Sequence, residues 1–400
     1  MPFLSEEEKI SAWELYQRIA GWWHEDQRHG NLSEDTWIPL PRAYITPGGQ
    51  ESVFPELYYW DSYFIVRGLL AHDEVMMARD QIDNLLDLAA RFGFVPNGNR
   101  SFYLTRSQPP LLTAMAKAYY TYTKNRRWLN ESLEWMVKEL AYWFDGPHCP
   151  QGDLARWFDS GDPGLSAELA SEAEAGWDFT ARFEGDARRF YAVDLNALLY
   201  GMMRDLSFFA EELGKGQEAL QYRQRAQNFL RQMHRVLWDP VHGEYRDWNF
   251  EVGTFSSVSS LASFYPLWTR CASDSQARKL STRVTDFSRS CGLVATDRIY
   301  PSPHPQFDFV QWGDPIMWAP LQLIVAEGLK GYGFTVYAQD IAQTYLRVIL
   351  KRYQETGKLY EKYHAETGNE DVPQERYPNP PFHGWSAGVF AVFAKEIMAF

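Results

Sequence analysis

The sequence has few cysteines and no excess of positive charge. Its three cysteines, Cys149, Cys271 and Cys291, are far apart in a chain of 400 residues. An odd number at such spacings suggests neither a disulfide framework nor a close-spaced zinc site. Lys and Arg number 39 against 52 Asp and Glu, which gives a net charge of −13. That charge opposes binding to a polyanion, so we expect no nucleic-acid partner.

Long hydrophobic runs and linkers are also missing. No stretch approaches the ~18 uncharged apolar residues of a membrane span, and MPFLSEEEKISAWELYQRIAGWW lacks the regions of a signal peptide. We therefore expect no membrane insertion and a cytoplasmic location, with which the cysteine usage agrees. No Ser/Gly-rich, Pro-rich or single-charge segment divides the chain, so residues 1–400 are predicted to form one domain, as a monomer or simple homo-oligomer.

Cofactor motifs are missing as well. No Gly-rich loop follows a strand and opens a helix, and the nine histidines, among them His24 and His29, show no ligand spacing. We predict no cofactor and no metal.

Aromatic residues and helical periodicity are abundant. The chain is 16% aromatic and 45% hydrophobic, enough for a large core. Ser5 is predicted to cap a first helix, with Glu8 three residues later. A short hairpin is expected at 238–255, with its turn at His242-Gly243. Further helices are predicted near 61–72, 78–91, 110–124, 130–144, 194–213, 216–237, 258–270, 275–289, 317–330, 336–353 and 384–398.

About a dozen antiparallel helices predict an all-α fold built from helix hairpins around an axis. An (α/α)₆ barrel has that number of helices. An open α-solenoid is the alternative, but no fixed-period repeat supports it. In a barrel the loops of one end form a pocket, where TRSQPP, GWDFTARF and QWGDP are expected to meet.

The segment PNGNRSFYLTRSQPP, 96–110, crowds amide, guanidinium, hydroxyl and aromatic groups between two turns. Sugars bind through planar hydrogen-bonding groups and aromatic faces in a partly apolar pocket. Oligosaccharide binding is the function that this composition favours.

Three carboxyl groups are embedded in aromatic sequence: Asp61 in ELYYWDSYF, Asp178 in AGWDFTARF and Glu361 in KLYEKYH. Glycoside hydrolysis needs one acid and one base or nucleophile, and an aromatic surrounding raises the pKa of a carboxyl toward that of a general acid. Each also has a plain structural interpretation. Asp61 could cap a helix, Asp178 could close a turn, and Glu361 could be a surface residue beside Lys362.

Five segments, in the same order, resemble the trehalase family of glycoside hydrolases. They are IPLPRAYITPGG with FPELYYWDSYF, VPNGNRSFYLTRSQPPLL, GWDFTARF with YAVDLNALLY, QWGDPIMWAPLQ, and EKYHAETG with YPNPPFHGWSAGV. The resemblance implies an inverting mechanism in which Asp178 is the general acid and Glu361 the general base, with carboxyls roughly 6.5–9.5 Å apart. It implies that the cleaved glucose is held by Phe54, Tyr58, Trp60, Asp61, Asn97, Arg106, Gln108 and Trp312.

The departures from the family all fall on the side of the leaving group. Val53 and Leu165 stand where the family has arginines, and QWGDP moves the expected aspartate by one place, to Asp314. The glycine-rich lid is replaced by ETGNEDVPQERYP, where either Glu375 or Arg376 matches the lid glutamate. Among Arg156, Arg182 and Arg376, one could receive an anionic leaving group instead.

These observations predict an inverting glycosidase for a small soluble α-glucoside, with trehalose as the first substrate. Glucosylglycerate or mannosylglycerate, cleaved by related helical barrels, is the alternative because the leaving-group residues differ. A sugar-binding protein without catalysis, a sugar phosphorylase and a helical scaffold are the other classes. The presence of both Asp178 and Glu361 disfavours the first, that of Glu361 disfavours the second, and the 97–108 segment disfavours the scaffold.

Overall fold

The computed structural model describes residues 4–29, 35–49, 53–152, 154–161, 164–373 and 377–397. In these ranges lie the helices α1 Glu6–Glu25, α2 Tyr59–Ala71, α3 Val75–Phe92, α4 Leu112–Thr123, α5 Arg126–Phe144, α6 Ala167–Glu174, α7 Val193–Glu212, α8 Gly216–Leu237, α9 Tyr265–Trp268, α10 Asp274–Phe287, α11 Ala319–Gly331, α12 Thr335–Thr356 and α13 Gly384–Ile397. None of the described helices is both long and apolar enough to cross a membrane.

Six helices form a closed inner ring. Helices α2, α4, α7, α9, α11 and α13 each pack against the next, and α13 returns to α2. Helices α1, α3, α5, α8, α10 and α12 lie on the outside of this ring. The inner helix α13 buries its whole length from Gly384 to Ala394, whereas α8 buries one face. Complete burial suits a helix with neighbours on all sides. The (α/α)₆ barrel is therefore confirmed, and the open solenoid is wrong.

Two glycines bring α2 and α13 into close contact. A Cβ atom on Gly388 would lie 2.2 Å from the carbonyl oxygen of Phe64, and one on Gly68 would lie 2.8 Å from the Cα of Gly388. Only glycine permits backbones to approach this closely. The contact holds the first turns of both helices, with Asp61 and Trp385, at the same end of the barrel.

The local sequence signals agree with most helix boundaries. Ser5 caps α1 with a complete capping box to Glu8, as predicted. The predicted helix at 258–270 is wrong: the structure has only a 3₁₀ turn at Leu261–Phe264 followed by the four residues of α9. Pro266 has no amide proton to donate within a helix, so it is accommodated in the first turn of α9 and not in the interior of a longer helix. Helix α6 was not predicted, because its eight residues are too few to show a period.

The strands are short and lie in the connections. They are β1 Gln27–Arg28, β2 Tyr44–Ile45, β3 Phe190–Tyr191, β4 Trp238–Asp239, β5 Glu244–Tyr245, β6 Trp248–Asn249, β7 Thr254–Phe255, β8 Ser288–Arg289, β9 Gly292–Leu293, β10 Ile316–Trp318 and β11 Lys362–His364. The predicted hairpin is β4–β5, and Gly243 has the positive φ (70°) that its turn needs. Strand β10 pairs antiparallel with β11, so that Trp318 lies opposite Lys362.

A buried carboxyl lies between the outer helix α5 and the inner helix α2. Glu139 is fully buried and accepts a hydrogen bond from the hydroxyl of Tyr59. That hydroxyl in turn accepts the amide proton of Leu112 at 3.0 Å, so three helices meet here. Burial raises the pKa of Glu139 to about 8, although the Tyr59 hydrogen bond opposes the rise.

Stability should therefore depend on pH through Glu139. The folded state binds this proton more tightly than the unfolded state, so the free energy of unfolding falls as pH rises from about 4.5 to 8. For Glu139→Gln we expect this fall in the free energy of unfolding to be absent. Between pH 4.5 and 8 the native protein should therefore lose on the order of 3 kcal/mol more than the variant. Urea unfolding at both pH values measures it. Glu131→Gln, an exposed change on the same helix, is the control and should not alter the difference.

Candidate active site

A cavity of about 420 Å³ opens at the end of the barrel where the inner helices begin. Residues from TRSQPP, GWDFTARF and QWGDP line it together, so the three segments meet as predicted. Ten of the predicted site residues line it: Phe54, Tyr58, Trp60, Asp61, Asn97, Arg106, Gln108, Asp178, Trp312 and Glu361. The three aromatic-embedded carboxyls therefore face one space.

Glu361 is a buried carboxylate with two strong donors. Its side chain is 5% exposed, and that of Lys362 is 1% exposed. Lys362 Nζ donates to one carboxylate oxygen at 2.7 Å, and the hydroxyl of Tyr377 donates to the other at 2.9 Å. The ammonium also lies 5.0 Å from the ring centroid of Trp318. The surface interpretation of Glu361 is thus wrong, because Lys362 is its buried counter-charge.

Asp178 is half-buried and sits in a strained turn just after α6. Gly176 has a φ of 69°, and a Cβ there would lie 3.0 Å from the Trp60 ring. Phe179 has a φ of 60°, a conformation rare outside glycine, and its carbonyl accepts the amide proton of Trp312 at 3.3 Å. Such strain persists only where the surroundings fix the backbone, and here it presents Asp178 to the cavity.

Asp61 lies in the first turn of α2 and is 5% exposed. Burial, together with the negative charge of Glu361, raises the pKa of Asp61 well above its ordinary value. Such a shift favours the protonated form, which can donate a hydrogen bond to a sugar oxygen as well as accept one. Asp61 therefore lies close enough to Glu361 for the two carboxyls to interact electrostatically.

The 97–108 segment is fixed by backbone hydrogen bonds. The amide of Asn97 donates to the carbonyl of Arg106 at 3.1 Å, which closes the loop. The Gln108 side chain accepts the amide proton of Trp60 at 3.2 Å. Buried Glu174, on α6, accepts the amide of Ser107 at 3.0 Å and so ties this loop to the turn bearing Asp178. These hydrogen bonds fix the order of the side chains along the cavity.

Arg106 is the single basic residue among the described residues lining the cavity. One of its terminal nitrogens lies 3.2 Å from the fully buried Asp159, which compensates its charge. The guanidinium also lies 5.3 Å from the Tyr103 ring centroid. Carboxyl groups on the lining are more numerous: Glu56, Asp61, Asp178 and Glu361. The described lining therefore has more carboxyl than basic groups, of which Glu361 is paired with Lys362 and Glu56 with Arg100.

Tryptophans form the floor of the cavity. Trp312 stacks on Trp318 with ring centroids 3.9 Å apart and planes 3° from parallel. Trp177 stacks behind Trp312 at 5.1 Å, and Trp60 lies 5.6 Å from both Trp312 and Trp385. Aromatic rings on the lining of a cavity suit the C–H surface of a sugar ring.

Two of the predicted arginines do not reach the cavity, which corrects the sequence interpretation. Arg156 donates to the backbone carbonyls of Pro147 and Arg188 and packs over aromatic rings outside the lining. Arg182 is fully buried between Asp194 and Asp247, its guanidinium forming four hydrogen bonds to the two carboxylates. Both are structural, because the backbone or the acids already occupy their donors.

Other predicted positions have mixed outcomes. Glu375 and Arg376 lie outside the described residues. Asp314 is paired with Arg289 at 2.6 Å and does not line the cavity. Val53 and Leu165 do line the cavity, so apolar side chains are present at the two positions where the family has arginines.

Sequence reasoning missed several lining residues. They are Glu56, Tyr103, Gln311, Trp318, Tyr377, Phe382 and Trp385. Glu56 accepts a hydrogen bond from the Tyr58 hydroxyl at 2.9 Å, and its place two residues before Tyr58 was the available signal. The sequence did not indicate Tyr377, because it is 16 residues from Glu361 and only folding brings the two side chains together. Burial, then the charges of Glu361 and Asp178, raise the pKa of the Tyr377 phenol, so it lies close to both carboxyls.

Comparison with known families decides the affiliation. The trehalase family model matches residues 4–156 and 160–397. The chain belongs to the trehalase family. It is accordingly a glycoside hydrolase. The periplasmic trehalase of Pseudomonas aeruginosa is 31% identical over 426 residues, covering 94% of this chain and 75% of that protein. The periplasmic trehalase of Escherichia coli is 29% identical over 421 residues, covering 94% and 73%.

Solved structures show the same fold for this trehalase-family chain. The neutral trehalase of Saccharomyces cerevisiae superposes with a TM-score of 0.76 at 23% identity, covering 98% of this chain and 80% of that one. A GH63 mannosylglycerate hydrolase from Thermus thermophilus gives a TM-score of 0.67 at 17% identity, covering 96% and 99%.

The cytoplasmic prediction is contradicted by these relatives. The proteins of Escherichia coli and Pseudomonas aeruginosa that match this trehalase-family chain are named periplasmic trehalases. The three cysteines, which had supported the cytoplasm, are all free thiols in the structure.

Proposed function

We propose that this chain is a single catalytic domain that hydrolyses α,α-trehalose to two glucose molecules with inversion at one anomeric carbon. The observation that carries the proposal is that Asp178 and Glu361 line one aromatic cavity together with the 97–108 loop. The relatives named trehalases support the choice of substrate.

In this mechanism Asp178 donates its proton to the glycosidic oxygen as the bond to the anomeric carbon breaks. Glu361 takes a proton from a water molecule, and the oxygen of that water bonds to the same carbon from the opposite face. Lys362 and Tyr377 orient the Glu361 carboxylate through the two hydrogen bonds already described. Asp61, Asn97, Arg106 and the Gln108 side chain are proposed to hold sugar hydroxyls, while Phe54, Tyr58, Trp60 and Trp312 supply aromatic contacts.

The described lining offers no uncompensated cation to an anionic leaving group. A glycerate carboxylate would enter a space whose one described basic residue, Arg106, is already compensated by Asp159. Taking a carboxylate out of water without a counter-charge opposes binding. Of the three arginines considered for glucosylglycerate or mannosylglycerate, Arg156 and Arg182 do not line the cavity, and Arg376 lies outside the described residues. A neutral second sugar is the better fit to the described residues.

The test is product analysis by proton NMR without phosphate in the buffer. Trehalose, glucosylglycerate, mannosylglycerate and kojibiose are supplied separately. Inverting hydrolysis of trehalose should first release α- and β-glucose in equal amounts, because the leaving sugar keeps its configuration and the attacked one does not. Release of α-glucose alone would indicate retention, and turnover that requires phosphate would indicate a phosphorylase. Cleavage of a glycerate glycoside but not of trehalose would overturn the substrate assignment.

A further inference from the structure

A buried ion pair lies directly behind the Asp178 turn. Glu172, on α6, is fully buried, and one of its carboxylate oxygens is 2.8 Å from Nε2 of His304. Its other oxygen accepts the backbone amide of Thr180 at 3.3 Å. Glu172 precedes Asp178 by six residues and Thr180 follows it by two, so this carboxylate spans the turn that bears Asp178.

His304 comes from a different part of the chain and is itself 6% exposed. Its backbone amide donates to the Ser302 hydroxyl at 3.2 Å, which fixes the loop locally. Phe307, three residues on, packs against Phe179 with ring centroids 4.4 Å apart. The ion pair and the contact between Phe307 and Phe179 therefore join the 302–307 loop to the Asp178 turn at two points.

Stability alone is a weak reason for such a pair. Taking two charged groups out of water costs several kcal/mol per ion, about as much as their attraction returns, and apolar side chains of similar size are often at least as stabilising. A buried carboxylate beside a proposed proton donor also has an electrostatic consequence. Neighbouring negative charges oppose each other's ionisation.

The ionisable groups around the pair are few. Asp178 and His304 face Glu172, and Glu172 and Glu168 face His304. Burial raises the pKa of Glu172, His304 opposes that rise, and the charge of Asp178 adds to it. Burial lowers the pKa of His304, but its hydrogen bond to Glu172 and the charges of both glutamates outweigh burial and raise it. Because coupling between two sites is reciprocal, an ionised Glu172 opposes ionisation of Asp178 equally.

We infer that Glu172 and His304 are positioning residues for Asp178, in that they fix its turn and place a negative charge that keeps its proton in place. This rests on the proposed role of Asp178 as general acid. When His304 loses its charge as pH rises, the negative charge of Glu172 is less compensated. Asp178 then holds its proton more tightly in the pH range where a general acid would otherwise fail.

The experiment is the pH profile of kcat/KM on trehalose, whose alkaline limb reports the free enzyme's general acid. For Glu172→Gln we expect the alkaline limb to shift to lower pH by roughly 0.5–1 pH unit, because one nearby negative charge is lost. KM at the optimum should stay within about twofold, because Glu172 does not line the cavity. Glu172→Asp keeps the charge, so its limb should stay near that of the native enzyme even where kcat falls.

A second variant covers the case in which Glu172→Gln does not fold. The double variant Glu172→Met with His304→Leu removes both charges and leaves neither unpaired. Its alkaline limb should also move down. Asp239→Asn, which breaks the 2.6 Å contact between Asp239 and His242 in the β4–β5 hairpin, is the matched control and should leave the limb unmoved.

The outcomes separate this inference from the proposed function. Lower kcat at every pH with an unmoved limb, in both charge-removing variants, would mean that the pair is only structural and would overturn the inference. Inverting trehalose hydrolysis and inactivity of Asp178→Asn would still support the proposed function in that case. Full activity of Asp178→Asn would overturn both.

Discussion

Asp178→Asn is expected to lower kcat on trehalose by about 10²–10⁴-fold while KM changes little. The amide has the size of the carboxyl but no proton to give, so the leaving sugar would depart as an unprotonated alkoxide. Fluoride needs no such proton. Turnover of α-glucosyl fluoride by Asp178→Asn should therefore stay within about tenfold of the native enzyme.

Asp186→Asn is the matched control for this prediction. Asp186 lies eight residues further along the chain, outside the cavity, where it pairs with Arg188 at 2.7 Å. Its replacement should leave kcat on trehalose within about twofold, as expected for a surface ion pair. Native-like trehalose turnover in Asp178→Asn would contradict the assignment of the general acid, and an equal loss on both substrates would indicate disturbed binding instead.

Much of the fold could be predicted because the inner and outer helices carry strong local signals. Ser5 with Glu8 marked the start of α1, and Gly93, with a φ of 86°, ended α3. The failure at 258–270 has a physical cause. Serines and aromatics there recur with a helical period. Ser260, however, forms a β-bridge with Thr296, and Pro266 has no amide proton with which to continue a helix that begins before it. Both effects override the local pattern.

The site was predictable where its residues are contiguous in sequence. Asn97, Arg106 and Gln108 stand in one loop, which fixes their mutual order, and the loop closes on itself through Asn97 and Arg106. The positions of the arginine side chains were less predictable, because the side chain is long and its binding partners come from distant parts of the sequence. Arg182 follows Asp178 by only four residues, yet its guanidinium is bound by Asp194 and Asp247 and it does not line the cavity.

The partners of Glu361 show the same limit. Lys362 follows it directly and could be read as a solvated neighbour, because sequence does not tell whether a charged pair is buried. In the structure, β11 pairs with β10, and Lys362 lies opposite Trp318 in the cavity floor. That pairing joins segments more than forty residues apart, so only the folded chain shows that Lys362 and Glu361 form a buried pair.

Glu361→Gln should reduce kcat by about 10²–10⁴-fold on trehalose and by a similar factor on α-glucosyl fluoride. Both substrates need an activated water, so a better leaving group cannot replace a lost base. This response is the opposite of that expected for Asp178→Asn, and measuring the two variants on the two substrates assigns acid and base independently. Recovery of Glu361→Gln on the fluoride would contradict the assignment of the base.

Lys362→Met tests how that base is held. The methionine fills the space between Trp318 and Tyr377 but leaves the 5%-exposed carboxylate of Glu361 without its counter-charge. Removing one partner of a buried pair costs about 3–5 kcal/mol. We therefore expect kcat to fall on both substrates and the midpoint of urea unfolding to fall as well. Glu366→Gln, an exposed change five residues from Glu361, should leave both kcat and the unfolding midpoint as they are.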